Sequence, residues 1–104
     1  MKKTLFKSDK FKKARGGYSR LLQISCLKCA AELSLYQKDG PGMLKRMYLD
    51  RMIEPRVSLT TKELRCPSCK ELLGLRMIYE KEQRLAYRLF VGSIAKKIVS
   101  ASKR

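Results

Sequence analysis

The four cysteines of this chain stand as two short hooks, Cys26-Leu27-Lys28-Cys29 and Cys66-Pro67-Ser68-Cys69, with 36 residues between them. Two residues between thiolates let one tight turn aim both sulfurs at a single ion. Two such turns complete a four-sulfur tetrahedral shell, which suits one structural zinc ion held by Cys26, Cys29, Cys66 and Cys69. A second pair in the same pattern favours metal ligation over a lone redox dithiol at Cys66-Cys69. The spacer is too long to be a bare turn, so it must carry structure of its own.

The chain has 104 residues, enough for one domain, and roughly 75 of them remain for a core once the basic ends are set aside. A chain that short buries only about 60% of its unfolded surface and is marginal without help. Structural zinc supplies that help, with apparent binding free energies of ~10–16 kcal/mol in small zinc domains. There is no run of 18 apolar residues to span a membrane and no apolar segment behind the N-terminal lysines to act as a secretory signal. Cysteines in close pairs without an export signal fit a reducing, cytoplasmic setting.

Taken in order, residues 1–20 form a basic arm, expected to be disordered alone, with Gly16-Gly17 as a hinge. Residues 21–29 run as a short strand into the first hook. Glu32 to Lys38 alternates polar and apolar, the period of a half-buried strand, and Asp39-Gly40-Pro41-Gly42 ends it. Leu64-Arg65 leads into the second hook and Leu72 to Tyr79 leads out. The two outgoing strands end alike, at Tyr36-Gln37-Lys38-Asp39 and Tyr79-Glu80-Lys81-Glu82, which makes a weak repeat offset by 40 residues at the cysteines and 43 at the tyrosines. In the spacer, Leu44, Met47, Tyr48 and Met52 share one face of a short helix that Pro55 would stop, with a strand as the competing reading. Val57 to Thr61 reads as a strand returning to the second hook. After a turn at Glu80 to Gln83, Arg84 to Val91 alternates as a strand, and the same stretch also suits one helix running on through Ile94, Ala95 and Ile98. Residues 92–104 are expected to form a basic C-terminal helix or tail.

Over residues 21–91 the chain resembles the zinc ribbon superfamily. The resemblance rests on the two Cys-x2-Cys hooks, Pro67 within the second, and the strand after each. It implies a small β-rich α+β fold: short antiparallel strands around a four-cysteine zinc site, one short helix in the spacer and basic extensions at both ends. The chain departs from ribbon and rubredoxin-like knuckles just after each second cysteine, where glycine is usual and Ala30 and Lys70 stand here. Iron in a rubredoxin-like shell would use the same four ligands.

Charge points to the partner. The net charge is +16. Eight basic residues against Asp9 give +7 over residues 1–20, residues 21–80 carry +3, and residues 81–104 carry +6. An excess of this size, set at the two ends, fits a polyanion. The candidate nucleic-acid contacts are Lys2, Lys3, Lys7, Lys10, Lys12, Lys13, Arg15, Tyr18, Arg20, Lys96 and Lys97, with lysine and arginine on phosphates and Tyr18 or Phe11 on an exposed base. The chain has no histidine, and a shell closed by four thiolates leaves no position for an activated water, so catalysis is not expected. No membrane contact and no small-molecule substrate are expected either. The composition points to a non-catalytic RNA-binding protein, ribosomal or ribosome-associated, with basic extensions on ribosomal RNA phosphates. The alternative is a zinc ribbon that recruits a protein partner or DNA in transcription machinery.

Overall fold

The computed structural model describes residues 19–40 and 42–99. They build eight strands: β1 Ser19–Cys26, β2 Glu32–Asp39, β3 Arg46–Tyr48, β4 Met52–Ile53, β5 Glu63–Arg65, β6 Leu72–Tyr79, β7 Arg84–Leu89 and β8 Ile94–Val99. Two antiparallel four-stranded sheets result, with orders β4-β2-β1-β8 and β3-β7-β6-β5. The β-rich reading holds, and each hook joins two paired strands, β1 to β2 and β5 to β6.

The two hook-bearing hairpins copy one another more closely than their sequences do. Both β2 and β6 are eight residues long and begin three residues after a hook. Each hairpin slips register just ahead of its first cysteine, between Ile24 and Ser25 and between Leu64 and Arg65. The residue left over by each slip, Leu33 or Leu73, is buried. The offset is therefore 40 throughout, and Tyr79 is the counterpart of Asp39, not of Tyr36 as the shared tyrosine ending suggests.

One core is drawn from both sheets. Leu22, Ile24, Leu33 and Tyr36 come from the first, Met47, Leu64, Leu73 and Tyr87 from the second, and Cys26 and Cys66 belong to the same cluster. A β-carbon on Gly74 would stand 2.5 Å from the carbonyl oxygen of Arg88, so only glycine lets β6 and β7 approach this closely.

The spacer helix is not what forms. A single 3-10 turn, Leu49–Arg51, sits between β3 and β4. This segment hands the chain from one sheet to the other, since β3 pairs with β7 and β4 pairs with β2. Met47 and Tyr48 accordingly point to opposite faces of a strand, and their helical spacing with Leu44 and Met52 has no structural counterpart. Met47 is core filler as its chemistry suggests, whereas Met43 is exposed. Residues 57–61 form bends and not a strand. The Tyr87 hydroxyl holds that loop by donating to the Thr61 carbonyl at 2.7 Å, while Val57 and Leu59 pack on the core.

The C-terminal helix is also replaced. Ile94–Val99 is a strand that pairs with β1 from Leu21↔Val99 to Cys26↔Ile94, so the folded body runs from Ser19 to at least Val99. An eight-residue β1 buried at its centre would otherwise leave a row of backbone donors and acceptors without partners. Ile94, Ile98 and Val99 are β-branched and suit that pairing. Gly92, at φ 74°, makes the turn that brings β8 back.

Two arginines lie inside. Arg51 is buried and donates from Nε to Asp39 Oδ2 at 2.8 Å. Asp39 also accepts from Ser19 Oγ at 2.6 Å and Gln37 Nε2 at 2.9 Å, which ties the start of β1, the end of β2 and the 3-10 turn together. Burial works against its charge, but these three donors outweigh it and hold the Asp39 carboxyl below the ordinary carboxylate range. Arg84 bonds Asp50 at 2.7 Å and Glu82 at 2.9 Å, with its guanidinium carbon 3.7 Å from the Tyr48 ring centre.

Candidate metal centre and basic groove

The four cysteines converge from the two sheets. Their sulfurs all lie within 4.8 Å of one another. Cys26 and Cys69 stand 3.7 Å apart, Cys29 and Cys66 3.4 Å apart, so each close pair joins one hook to the other. Metal–sulfur bonds of about 2.3 Å place the sulfurs of a tetrahedral zinc shell about 3.8 Å apart. The donor set and its spacing therefore fit one metal ion such as zinc.

The local fold of each hook explains the convergence. The Cys26 N–H donates to the Ala31 carbonyl at 2.9 Å, and the Ala30 N–H to the Cys26 carbonyl at 2.8 Å. The second hook repeats both bonds, Cys66 to Glu71 at 3.0 Å and Lys70 to Cys66 at 3.0 Å. The closing residue of each turn is left-handed, Ala30 at φ 67° and Lys70 at φ 66°. The conformation that usually calls for glycine is thus kept without it. Lys28 of the first hook meets Glu71 beyond the second at 3.2 Å, an exposed pair that adds little to stability.

The second hook is also set up to hold a thiolate. Burial opposes ionisation of Cys66, but the N–H groups of Cys69 and Ser68 point at its sulfur at 3.5 and 3.4 Å. Together with the Cys29 and Cys69 thiols they bring the Cys66 thiol down to about 6. At Cys69 the Glu71 N–H favours the thiolate, but burial and the three neighbouring sulfurs push the thiol up. Four sulfurs this close repel one another when ionised, and a divalent cation among them removes that cost.

The basic candidates fall into three groups. Lys2, Lys3, Lys7, Lys10, Lys12, Lys13, Arg15 and Tyr18 lie outside the described residues. Arg20 and Lys96 come together on one face of the first sheet, and Lys97 pairs with Gln23 on the other face. Lys38, which its position at the end of an alternating strand did not single out, completes the first group: it sits directly across from Arg20. Arg20, Lys38 and Lys96 line one groove over Leu22 and Ile98. Lys38 donates to the Gly40 carbonyl at 2.9 Å. Among the described residues no carboxylate pairs with Arg20 or Lys96.

Compared with known proteins, the chain matches no family model, no curated protein and no solved structure. The four clustered cysteines are compatible with a zinc-ribbon-like site, and no family is identified. Among the described residues no helix is long and apolar enough to cross a membrane.

Proposed function

We propose that this protein is a non-catalytic RNA-binding module whose fold is closed by one structural zinc ion. One observation carries the reading: Arg20 and Lys38 face each other directly across two paired strands, with Lys96 in the same groove. Arg20 and Lys96 have no carboxylate partner among the described residues, so the groove they share suits an anion. Phosphates of a nucleic acid fit a surface that belongs to a chain of net charge +16. A large folded RNA such as that of a ribosome offers phosphates to the groove and to the basic ends together. The zinc ion would be held by Cys26, Cys29, Cys66 and Cys69, and its role is to fix the two hairpins against each other. With four sulfurs bound it presents no open position, which supports an inert site.

The test is RNA binding by fluorescence anisotropy across a salt series. Replacing Arg20, Lys38 and Lys96 with alanine is expected to lower affinity at least tenfold at moderate salt. The slope of log affinity against log salt should flatten by about 2, as three lost phosphate contacts require. Unchanged affinity and slope would overturn the reading and favour recruitment of a protein partner.

A further inference from the structure

The outer face of the second sheet carries a layered arrangement of arginines and tyrosines that the groove does not use. Tyr48 on β3 pairs with Ala86 on β7, and Tyr79 on β6 pairs with Arg84 on β7. Because Ala86 is small and fully buried, the two rings meet above it, with centroids 6.0 Å apart at 60°. Arg84 lies against the Tyr48 ring at 3.7 Å and is occupied by Asp50 and Glu82. Arg46 is different. Its guanidinium carbon stands 4.1 Å from the Tyr79 ring centre, and its Nε donates to the Tyr48 hydroxyl at 3.4 Å. Directly across from Arg46 on the neighbouring strand is the exposed Arg88. Among the described residues no carboxylate pairs with either guanidinium. Leu75, also opposite Arg88, leaves an exposed apolar surface beside them.

We infer that this face, built from Tyr79, Arg46 and Arg88, is a stacking platform for an unpaired RNA base. The inference rests on the RNA reading above and adds a second site with a different chemistry. A base needs a flat, polarisable surface, which the Arg46 guanidinium and the Tyr79 ring beneath it provide. A nucleotide also brings a phosphate, and the like-charged pair Arg46–Arg88 is where one is wanted. Among the described residues the first-sheet groove has cations and aliphatic side chains but no ring, so it suits phosphates of any nucleic acid. The second-sheet face adds a preference for single strands.

The test compares a short oligoadenylate with an RNA duplex of matched phosphate number, using the metal-loaded full chain. The variant that combines Arg46→Lys with Tyr79→Leu removes both planar surfaces and keeps the charge. It is expected to bind oligoadenylate about tenfold more weakly with an unchanged salt slope, and the duplex as well as the parent does. Tyr79→Phe keeps the ring and is expected to bind both like the parent, which separates stacking from damage to the fold. If the double variant binds oligoadenylate like the parent, the platform is overturned while the RNA reading stands. If it loses oligoadenylate and duplex equally, the face is not selective for bases and the inference fails. If the parent binds neither RNA, both readings fail together.

Discussion

Ala30 and Lys70 follow the second cysteine of each hook, and both hold a left-handed backbone that a β-carbon disfavours. Glycine at Ala30 should relieve that strain and, after its greater freedom in the unfolded chain is counted, stabilise the protein by about 0.5–1 kcal/mol. Lys70→Gly should gain less, because it also gives up the bond from Lys70 Nζ to the Pro67 carbonyl at 3.0 Å. Urea unfolding of the metal-loaded variants measures both. Asp39 is the second residue whose role is local and large. Asp39→Asn removes the charge that the buried Arg51 Nε bonds, leaving the Asp50 carboxylate at 4.0 Å, and should cost about 2 kcal/mol at pH 7. The folded-state value of this carboxyl is lowered from 3.8. Its contribution is therefore fully present above the unfolded value and is lost only as pH falls through the lower folded one. The stability difference between parent and variant should hold constant from pH 7 to 5.5 in urea titrations. A difference that closes over that range would contradict the assignment.

The strands are legible because Glu32 to Lys38 and Arg84 to Leu89 alternate polar and apolar, but the alternation misreads their burial: β2 is buried on both faces from Leu33 to Gln37, and β7 keeps Arg84 inside and Leu85 outside. The cysteine site is legible for a simpler reason: two-residue spacing between thiolates has few other uses. The spacer misleads because Leu44, Met47, Tyr48 and Met52 happen to fall at helical spacing, while the chain there changes sheets within eight residues, Arg46 to Ile53. No local pattern records such a hand-over. The same limit applies to Ile94–Val99, where Ile94, Ala95, Ile98 and Val99 keep helical spacing without alternating, and the open edge of β1 decides. A chain ending at Ser93 is accordingly expected to lose a structural strand and not a dispensable tail. Its melting temperature should fall by at least about 10 °C, as the loss of a few kcal/mol implies for a domain this small. An unchanged melting temperature by circular dichroism would show that β8 is peripheral. Arg51 and Arg84 were illegible for another reason: a buried, paired arginine and a solvated one look alike in a sequence.

At the scale of the whole molecule, the proposed reading gives the charge and the metal separate work. Residues 1–18 hold seven of the 25 basic side chains and precede every described strand. If that segment neutralises about five phosphates, it contributes about −4 to the salt slope of RNA binding. The truncated chain should bind more weakly with a correspondingly flatter slope, while its metal content stays the same. Equal affinity and slope would make those residues bystanders. A metal ion held by all four sulfurs would close the body, since Cys26 and Cys29 come from one sheet's hairpin and Cys66 and Cys69 from the other's. Coupling of the two sheets through a single ion is the centre of the account, and X-ray absorption at the zinc edge of the purified chain tests it most directly. One zinc ion per chain with four sulfurs at about 2.3 Å is the expected result. Nitrogen or oxygen ligands in that shell, or a folded chain that carries no metal, would contradict it.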